Sequence, residues 1–168
     1  MHLAPMLCGE VFLCSGQSNM ELPMAWVRAD YPLEWNREPD PLLRQYKAIP
    51  DCDFNGPRSD HDHAFWQGCD AETLGDFSAL AYFFGRRIRQ WLNVPVGLLN
   101  VSLGGSPIES WMDADALRAF PEALADLEPY LGDGVASKKS RDSVAERDRW
   151  YKRLDTRLWP MPTMNGCH

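Results

Sequence analysis

The stretch EVFLCSGQSN, residues 10–19, joins a short apolar segment to a turn. After Glu10, the residues Val-Phe-Leu-Cys at positions 11–14 are apolar and rich in strand formers, and residues 10–14 predict a buried β-strand. The following Ser-Gly-Gln-Ser-Asn favours a tight turn. Because open α/β sheets bind ligands at the carboxyl ends of their strands, this turn predicts a site that contains Ser18.

Further segments extend this strand and turn into an α/β pattern. Apolar residues recur at steps of three and four between Phe77 and Leu92, which predicts an amphipathic helix that ends at Asn93. Residues 94–101 predict the next strand, which closes in the loop SLGGS at residues 102–106. Leu42–Ile49 favours one short strand in a proline-rich region. Strand, loop, helix and strand in this order indicate an α/β fold.

The remainder of the chain is predicted to be helical and charged. Asp113 predicts the N-cap of a short helix that reaches Phe120, and Pro121 predicts the start of another helix that ends near residues 132–134. Residues 138–158 are charged throughout, with only a thin apolar stripe. We therefore expect a charged helical or lid segment over about residues 113–158.

Composition excludes several classes of function. The chain has 168 residues, 45% hydrophobic residues and a net charge of -7 without a basic run, which favours a neutral substrate over nucleic acid or an anionic membrane. No signal peptide or transmembrane segment is predicted, and the compartment stays open. Five scattered cysteines indicate neither disulfides nor zinc, and the polar loop DHDHAFW, which contains His61 and His63, predicts no metal site.

Several side chains near the turn have more than one interpretation. A serine hydroxyl such as that of Ser18 needs an adjacent base to become a nucleophile. Gln17 and Asn19 flank it and either position the loop or contact the substrate. Cys14 is a weaker candidate for the nucleophile, since its place within the strand favours an inert buried thiol. For three tryptophans in or near loops, packing is favoured over stacking on a sugar: Trp26, Trp35 and Trp66.

Four strings occur in the order found in a known family: GEVFLCSGQSNMELPM, FSALAYFFGRRI, VPVGLLNVSLGGSPIESWM and MPTMNGCH. Together they resemble the sialate O-acetylesterases, carbohydrate esterases of the SGNH hydrolase superfamily. The resemblance implies a flavodoxin-like, three-layer α/β/α domain that hydrolyses O-acetyl esters of sugars without a metal or other cofactor. At matching positions it implies that Ser18 is the nucleophile. The amides of Ser18 and Gly105 would form the oxyanion hole, with Gly104 beside them permitting the turn.

The sequence departs from the family pattern at later positions. A block shaped like WYQGESN and the Asp-x-x-His block that supplies the base do not occur, and no histidine of the chain matches a catalytic position. We therefore expect residues 1–168 to be the N-terminal part of the catalytic domain, incomplete at its C-terminal side and with little turnover alone. Two alternatives stay open. The first concerns the substrate, which is either sialic acid or an acetylated polysaccharide. The second replaces the enzyme with a non-catalytic glycan-binding or interaction module of the same fold.

Overall fold

The computed structural model describes residues 6–49, 54–56, 64–132 and 135–153. The chain divides into two compact units, one formed by residues 1–50 and 60–106 and the other by residues 51–59 and 107–168. The first unit contains the β-sheet and the second is helical. Within the residues that the structure describes, no helix is long and apolar enough to cross a bilayer.

The described residues form four strands and five α-helices, which confirms the α/β class. The strands are β1 (Glu10–Gly16), β2 (Asp40–Ala48), β3 (Ala64–Cys69) and β4 (Val96–Ser102). The α-helices are α1 (Ser18–Glu21), α2 (Ala79–Leu92), α3 (Ala114–Leu117), α4 (Pro121–Leu127) and α5 (Val135–Arg153). Short 3-10 helices occupy Met24–Val27, Pro32–Asn36, Leu74–Asp76, Ile108–Trp111 and Glu128–Tyr130.

The four strands form one mixed sheet in the order β1-β4-β2-β3. Strand β4 has a parallel neighbour on both sides, while β3 runs antiparallel to β2 at the end of the sheet. Gly16 is level with Ser102, and the N–H of Leu103 donates to the carbonyl of Gly16 at 3.0 Å. The chain therefore leaves β1 and β4 at the same edge, so the two loops that follow these strands are neighbours.

Strand β3 corrects one sequence-based prediction. The loop predicted for DHDHAFW ends earlier than expected, because Ala64, Phe65 and Trp66 already belong to β3. His61 and His63 lie outside the described residues. Trp66 is paired with Tyr46 of β2, and their ring centroids are 5.3 Å apart. The sequence analysis misses this strand because the charged residues before it favour a loop. The hydrogen bonds and the aromatic contact that stabilise the strand are made with β2.

Helix α2 matches its prediction closely because both ends are capped. Ser78 is the N-cap, and its Oγ accepts the N–H of Ala81 at 3.2 Å. Asn93 ends the helix in the left-handed conformation with φ of 53°. The helix packs on the buried face of the sheet, where the side chains of Leu43, Phe77 and Leu98 are almost completely excluded from solvent.

The second unit contains the predicted helices of the later half of the chain. Asp113 caps α3, and its Oδ1 accepts the N–H of Ala116 at 2.7 Å. Pro121 starts α4 as expected. Helix α5 lies in the charged segment, and the side chains of residues 141–149 are exposed. The described part of the charged segment contains this exposed helix, and the segment's role as a lid stays a prediction.

A buried polar network lies beneath the carboxyl edge of the sheet. Gln45 of β2 has no exposed surface, and its Oε1 accepts the N–H of Ser78 at 3.0 Å and Nδ2 of Asn100 at 3.1 Å. Its Nε2 donates to the carbonyl of Asp76 at 3.2 Å. Ser102 continues the network by donating its hydroxyl to Oδ1 of Asn100 at 2.7 Å. One carboxamide thus connects β2, β4 and the N-cap of α2.

Replacing Gln45 with leucine is expected to destabilise the fold. The substitution leaves the Ser78 N–H and the Asn100 amide buried without a partner, and each such group costs about 1–3 kcal/mol. We expect the free energy of unfolding, measured in urea, to fall by about 2–4 kcal/mol.

Gln67→Leu provides a matched control in the adjacent strand. Gln67 is level with Gln45, it is only partly buried, and its Oε1 has no partner among the described residues. We expect this variant to change the free energy of unfolding by less than about 0.5 kcal/mol. Equal losses in the two variants would contradict a specific role for the Gln45 network.

A second buried polar cluster links α2 to the 3-10 helix at Pro32–Asn36. Tyr82 and Arg86 of α2 both donate to Oε2 of Glu34, with a Tyr82 distance of 2.7 Å, and Nε of Arg37 donates to the same oxygen at 2.6 Å. Burial alone raises the pKa of Glu34, but the hydrogen bonds from Arg86, Tyr82 and Arg37 outweigh it. The pKa of Glu34 is therefore held below its ordinary value, so the folded chain favours the carboxylate.

This cluster predicts a specific loss of stability in acid. Because the pKa of Glu34 is lower in the folded than in the unfolded state, its contribution is fully present above the unfolded value of about 4.3 and is lost as pH falls through the folded value. We expect the melting temperature of Glu34→Gln to vary less than that of the wild type between pH 5 and pH 3. The same acid dependence in both proteins would contradict the assignment.

Candidate active site

Ser18 lies two residues after strand β1, at the carboxyl edge of the sheet. Strand β1 ends at Gly16, Gln17 continues in extended conformation, and Ser18 starts the short helix α1. Ser18 is exposed, as are Gln17 and Asn19 on either side of it. The hydroxyl that the sequence predicts as the nucleophile is thus accessible on a turn whose base is anchored in the sheet.

The loop after β4 approaches this turn closely. A Cβ at Gly104 would lie 3.5 Å from both Cα and Cβ of Ser18 and 2.6 Å from Oε2 of Glu21. A side chain at Gly104 would therefore contact Ser18 and displace the Glu21 carboxylate. Gly105 has φ of +77°, in the left-handed region, and a Cβ there would meet no atom within 4 Å. The unusual backbone conformation of this turn thus belongs to Gly105, whereas the sequence analysis assigns the turn to Gly104.

The three amides predicted at the oxyanion hole differ in their hydrogen bonding. The N–H of Gly104 donates to Oε2 of Glu21 at 2.5 Å. The N–H groups of Ser18 and Gly105 have no acceptor among the described residues. Within the described part of the chain, the amides of Ser18 and Gly105 are thus without an acceptor, while the amide of Gly104 is engaged.

The two polar neighbours of Ser18 behave differently. Nε2 of Gln17 donates a short hydrogen bond to the carbonyl of Ser106, which joins the two loops and favours a positioning role. The side chain of Asn19 is exposed and has no hydrogen-bond partner within the described part of the chain. Of these two side chains, that of Asn19 is free to reach a substrate.

The structure argues against Cys14 as the nucleophile. Its side chain is 5% exposed and belongs to the core, and its thiol lies 3.8 Å from the carbonyl oxygen of Phe12. Burial raises the pKa of the Cys14 thiol, which disfavours the reactive thiolate. The interpretation of Cys14 as an inert structural thiol is therefore confirmed.

The tryptophans only partly follow their predicted packing. Trp35 packs against the core and its ring lies 5.1 Å from the guanidinium carbon of Arg28. Trp26 is 67% exposed, so the packing prediction is wrong for it, whereas Trp66 is 50% exposed and packs against Tyr46. Trp26 follows α1 in the 3-10 helix Met24–Val27, which leaves an exposed indole in the segment after Ser18.

The described residues contain no histidine. The histidines of the chain, at positions 2, 61, 63 and 168, lie outside the described residues. A cavity of about 320 Å³ is lined by Glu34, Arg86 and other residues near the start of β2, and it contains none of the predicted site residues. Among the described side chains, no group of three or more histidine, cysteine, aspartate or glutamate residues could hold a metal ion.

Glu21 is a site residue that the sequence analysis does not single out. It lies within the string GQSNME, but its partner Gly104 is 83 positions away in the sequence. No local pattern predicts such a long-range contact. The parallel pairing of β1 with β4 creates it, because that pairing brings the two loops to one edge.

The left-handed backbone of Gly105 predicts a moderate cost for alanine at this position. Because nothing lies within 4 Å of the new Cβ, the cost of Gly105→Ala is backbone strain alone, about 1–2 kcal/mol. Urea unfolding measures this value. An unchanged free energy of unfolding would contradict the observed conformation of the loop.

Comparison with known proteins finds relatives among the sialate O-acetylesterases. No family model matches the chain. It is 31% identical over 125 residues to the sialate O-acetylesterase of Rattus norvegicus and 29% identical over 138 residues to that of Homo sapiens. Each alignment covers 71% of this chain, but 23% of the rat protein and 24% of the human protein.

A solved structure gives the same result at the level of the fold. A carbohydrate acetylesterase from Xanthomonas citri matches 66% of this chain and 25% of its own, with a TM-score of 0.60 and 35% identity. The chain thus spans about a quarter of the length of these relatives. On the combined evidence of sequence and fold, it belongs to the sialate O-acetylesterase-like family of carbohydrate acetylesterases.

Proposed function

We propose that this chain carries the nucleophile and the oxyanion-binding amides of an enzyme that hydrolyses O-acetyl esters on carbohydrates. One observation carries the proposal: the Gly104-Gly105 loop lies directly against Ser18, with a Gly104 Cβ position only 3.5 Å from Cα of Ser18. An exposed serine beside free backbone donors is the arrangement that acyl transfer requires.

The proposed reaction proceeds in two steps. Oγ of Ser18 attacks the acetyl carbonyl, and a general base accepts the hydroxyl proton. When the tetrahedral intermediate collapses, the base gives this proton to the sugar oxygen, which leaves as the alcohol. Water then attacks acetyl-Ser18, which releases acetate and restores the hydroxyl. In both steps the N–H groups of Ser18 and Gly105 donate to the developing oxyanion.

Gly105 is the preferred second donor for physical reasons. An oxyanion donor must approach to about 3 Å, and a side chain at this position would obstruct the acyl group. The space around a Cβ position at Gly105 is open, whereas the Gly104 amide is engaged by Glu21. The loop therefore supports donation from Gly105, with Gly104 as its closely packed neighbour.

An acetylated sugar is the proposed substrate, either sialic acid or an acetylated polysaccharide. The names of the relatives support a carbohydrate ester. The exposed indole of Trp26 supports the same class, because an aromatic ring offers a rigid amphipathic surface to a sugar face. The net charge of -7 without a basic run is more compatible with a carbohydrate than with nucleic acid.

The test measures acetate release and acetylation of Ser18 by mass spectrometry, after incubation of the chain with an activated acetyl ester. We expect a single acetyl adduct on Ser18 that Ser18→Ala abolishes, and little acetate release from either protein, because the block that supplies the base does not occur in these residues. Ser15→Ala is the matched control, since Ser15 is an exposed serine of β1, and it should retain the wild-type rate of acetylation.

Two outcomes would reject the enzymatic proposal. No adduct on Ser18 of the folded wild type, or equal acetylation of the wild type and Ser18→Ala, excludes Ser18 as the nucleophile. Binding of an acetylated sugar that survives Ser18→Ala, with no acetylation of Ser18 in the wild type, supports the alternative of a glycan-binding module. If acetate release does depend on Ser18, the variants His61→Ala, His63→Ala and His168→Ala show whether one of these histidines is the base.

A further inference from the structure

Two hydrogen bonds connect the loop after β1 with the loop after β4. At one end, Nε2 of Gln17 donates to the carbonyl of Ser106. At the other end, the N–H of Gly104 donates to Oε2 of Glu21 at 2.5 Å. Ser18 lies between Gln17 and Glu21 in the sequence, and Gly105 lies between Gly104 and Ser106. The two bonds therefore bracket both free amides of the proposed oxyanion hole.

The bond from Gly104 to Glu21 is suited to fixing a loop in place. Its acceptor is a carboxylate, and hydrogen bonds to an ionised acceptor are shorter and roughly twice as strong as neutral ones. Gly104 also fits the carboxylate sterically, because a Cβ would lie 2.6 Å from the same Oε2 atom. The polar N–H of Gly104 thus faces the carboxylate of Glu21, and the absence of a side chain on Gly104 leaves room for that carboxylate.

Loop position matters because oxyanion donors act only when they are held in place before the reaction. A shift of about 1 Å in a reacting group can cost about 10²-fold in rate. Gly105 has a conformation that few residues adopt, and a Cβ there would meet no atom within 4 Å. Its two neighbours in the loop, Gly104 and Ser106, are the residues that Glu21 and Gln17 hold.

The same bond also determines which amide is available. With its N–H donated to Glu21, Gly104 does not compete with Gly105 for the substrate oxygen. Glu21 would then set both the position of the loop and the identity of the donor.

From these contacts we infer that Glu21 is a positioning residue for the reaction of Ser18. Its carboxylate holds Gly104 so that the amides of Ser18 and Gly105 stay at one distance from the acyl oxygen, and it transfers no proton. This inference rests on the proposed function.

The experiment compares Glu21→Leu with Glu21→Gln in the full chain. Leucine removes the acceptor, whereas the side-chain oxygen of glutamine can still accept the Gly104 N–H. We expect Glu21→Leu to slow acetylation of Ser18 by an activated acetyl ester about 10–100-fold, and Glu21→Gln to slow it less than about fivefold. Glu10→Leu, which alters an exposed glutamate at the start of β1, should match the wild type.

Amide hydrogen exchange at Gly104 provides a readout that does not depend on activity. The wild type and Glu21→Gln should protect this amide, and Glu21→Leu should lose the protection while it keeps the wild-type unfolding midpoint. Wild-type acetylation rates in Glu21→Leu would overturn the inference. An equal loss of rate in Glu21→Gln and Glu21→Leu would also overturn it if the Gly104 amide stays protected in Glu21→Gln, because the rate would then not follow the hydrogen bond that holds the loop.

The exchange measurement separates the two proposals. If the wild-type chain is never acetylated at Ser18, the proposed function fails. Amide exchange at Gly104 then tests by itself whether Glu21 holds this residue. Faster exchange in Glu21→Leu then supports Glu21 as the residue that holds the loop, and unchanged exchange rejects it.

Discussion

The carboxamide of Gln45 is the interaction on which the sheet and its helix depend. It is completely buried, and it satisfies groups of β2, β4 and the start of α2 at once through Asn100, Ser78 and Asp76. A buried polar group without a partner is costly, so these elements can come together in only one register. Apolar packing of Leu43 and Leu98 provides much of the driving force, but it specifies position less strictly than these directional bonds do.

The candidate site follows from that register. Asn100 and Ser102 of β4 continue the network toward the carboxyl edge, and Ser102 is level with Gly16 of β1. The turn with Ser18 and the loop with Gly105 then leave the sheet beside each other. Exposed catalytic loops held by a buried rigid scaffold are a general feature of enzymes. Here a network of uncharged polar groups lies beneath the loops, and the separate contacts of Gln17 and Glu21 join the two loops to each other.

Sequence patterns predict the elements with strong periodicity or clear caps. The helix between Ser78 and Asn93 is recognisable because both of its capping residues and its apolar face can be read directly. Strand β3 is missed because its pairing with β2 determines it more than its own composition does. The exposure of Trp26 is also missed, since a sequence cannot tell whether an aromatic side chain in a loop finds a partner.

The sequence by itself determined the α/β class, the turn that carries Ser18 and the glycine loop after β4, because these features depend on local periodicity and on the conformational freedom of glycine. Only the tertiary structure decided which amides stay free and that Glu21 holds Gly104. Those contacts join residues 83 positions apart, and they exist only after parallel pairing of β1 with β4 has brought two strand ends to one edge. Local sequence patterns do not predict a contact between residues so far apart in the chain, because the pairing of the strands brings them together.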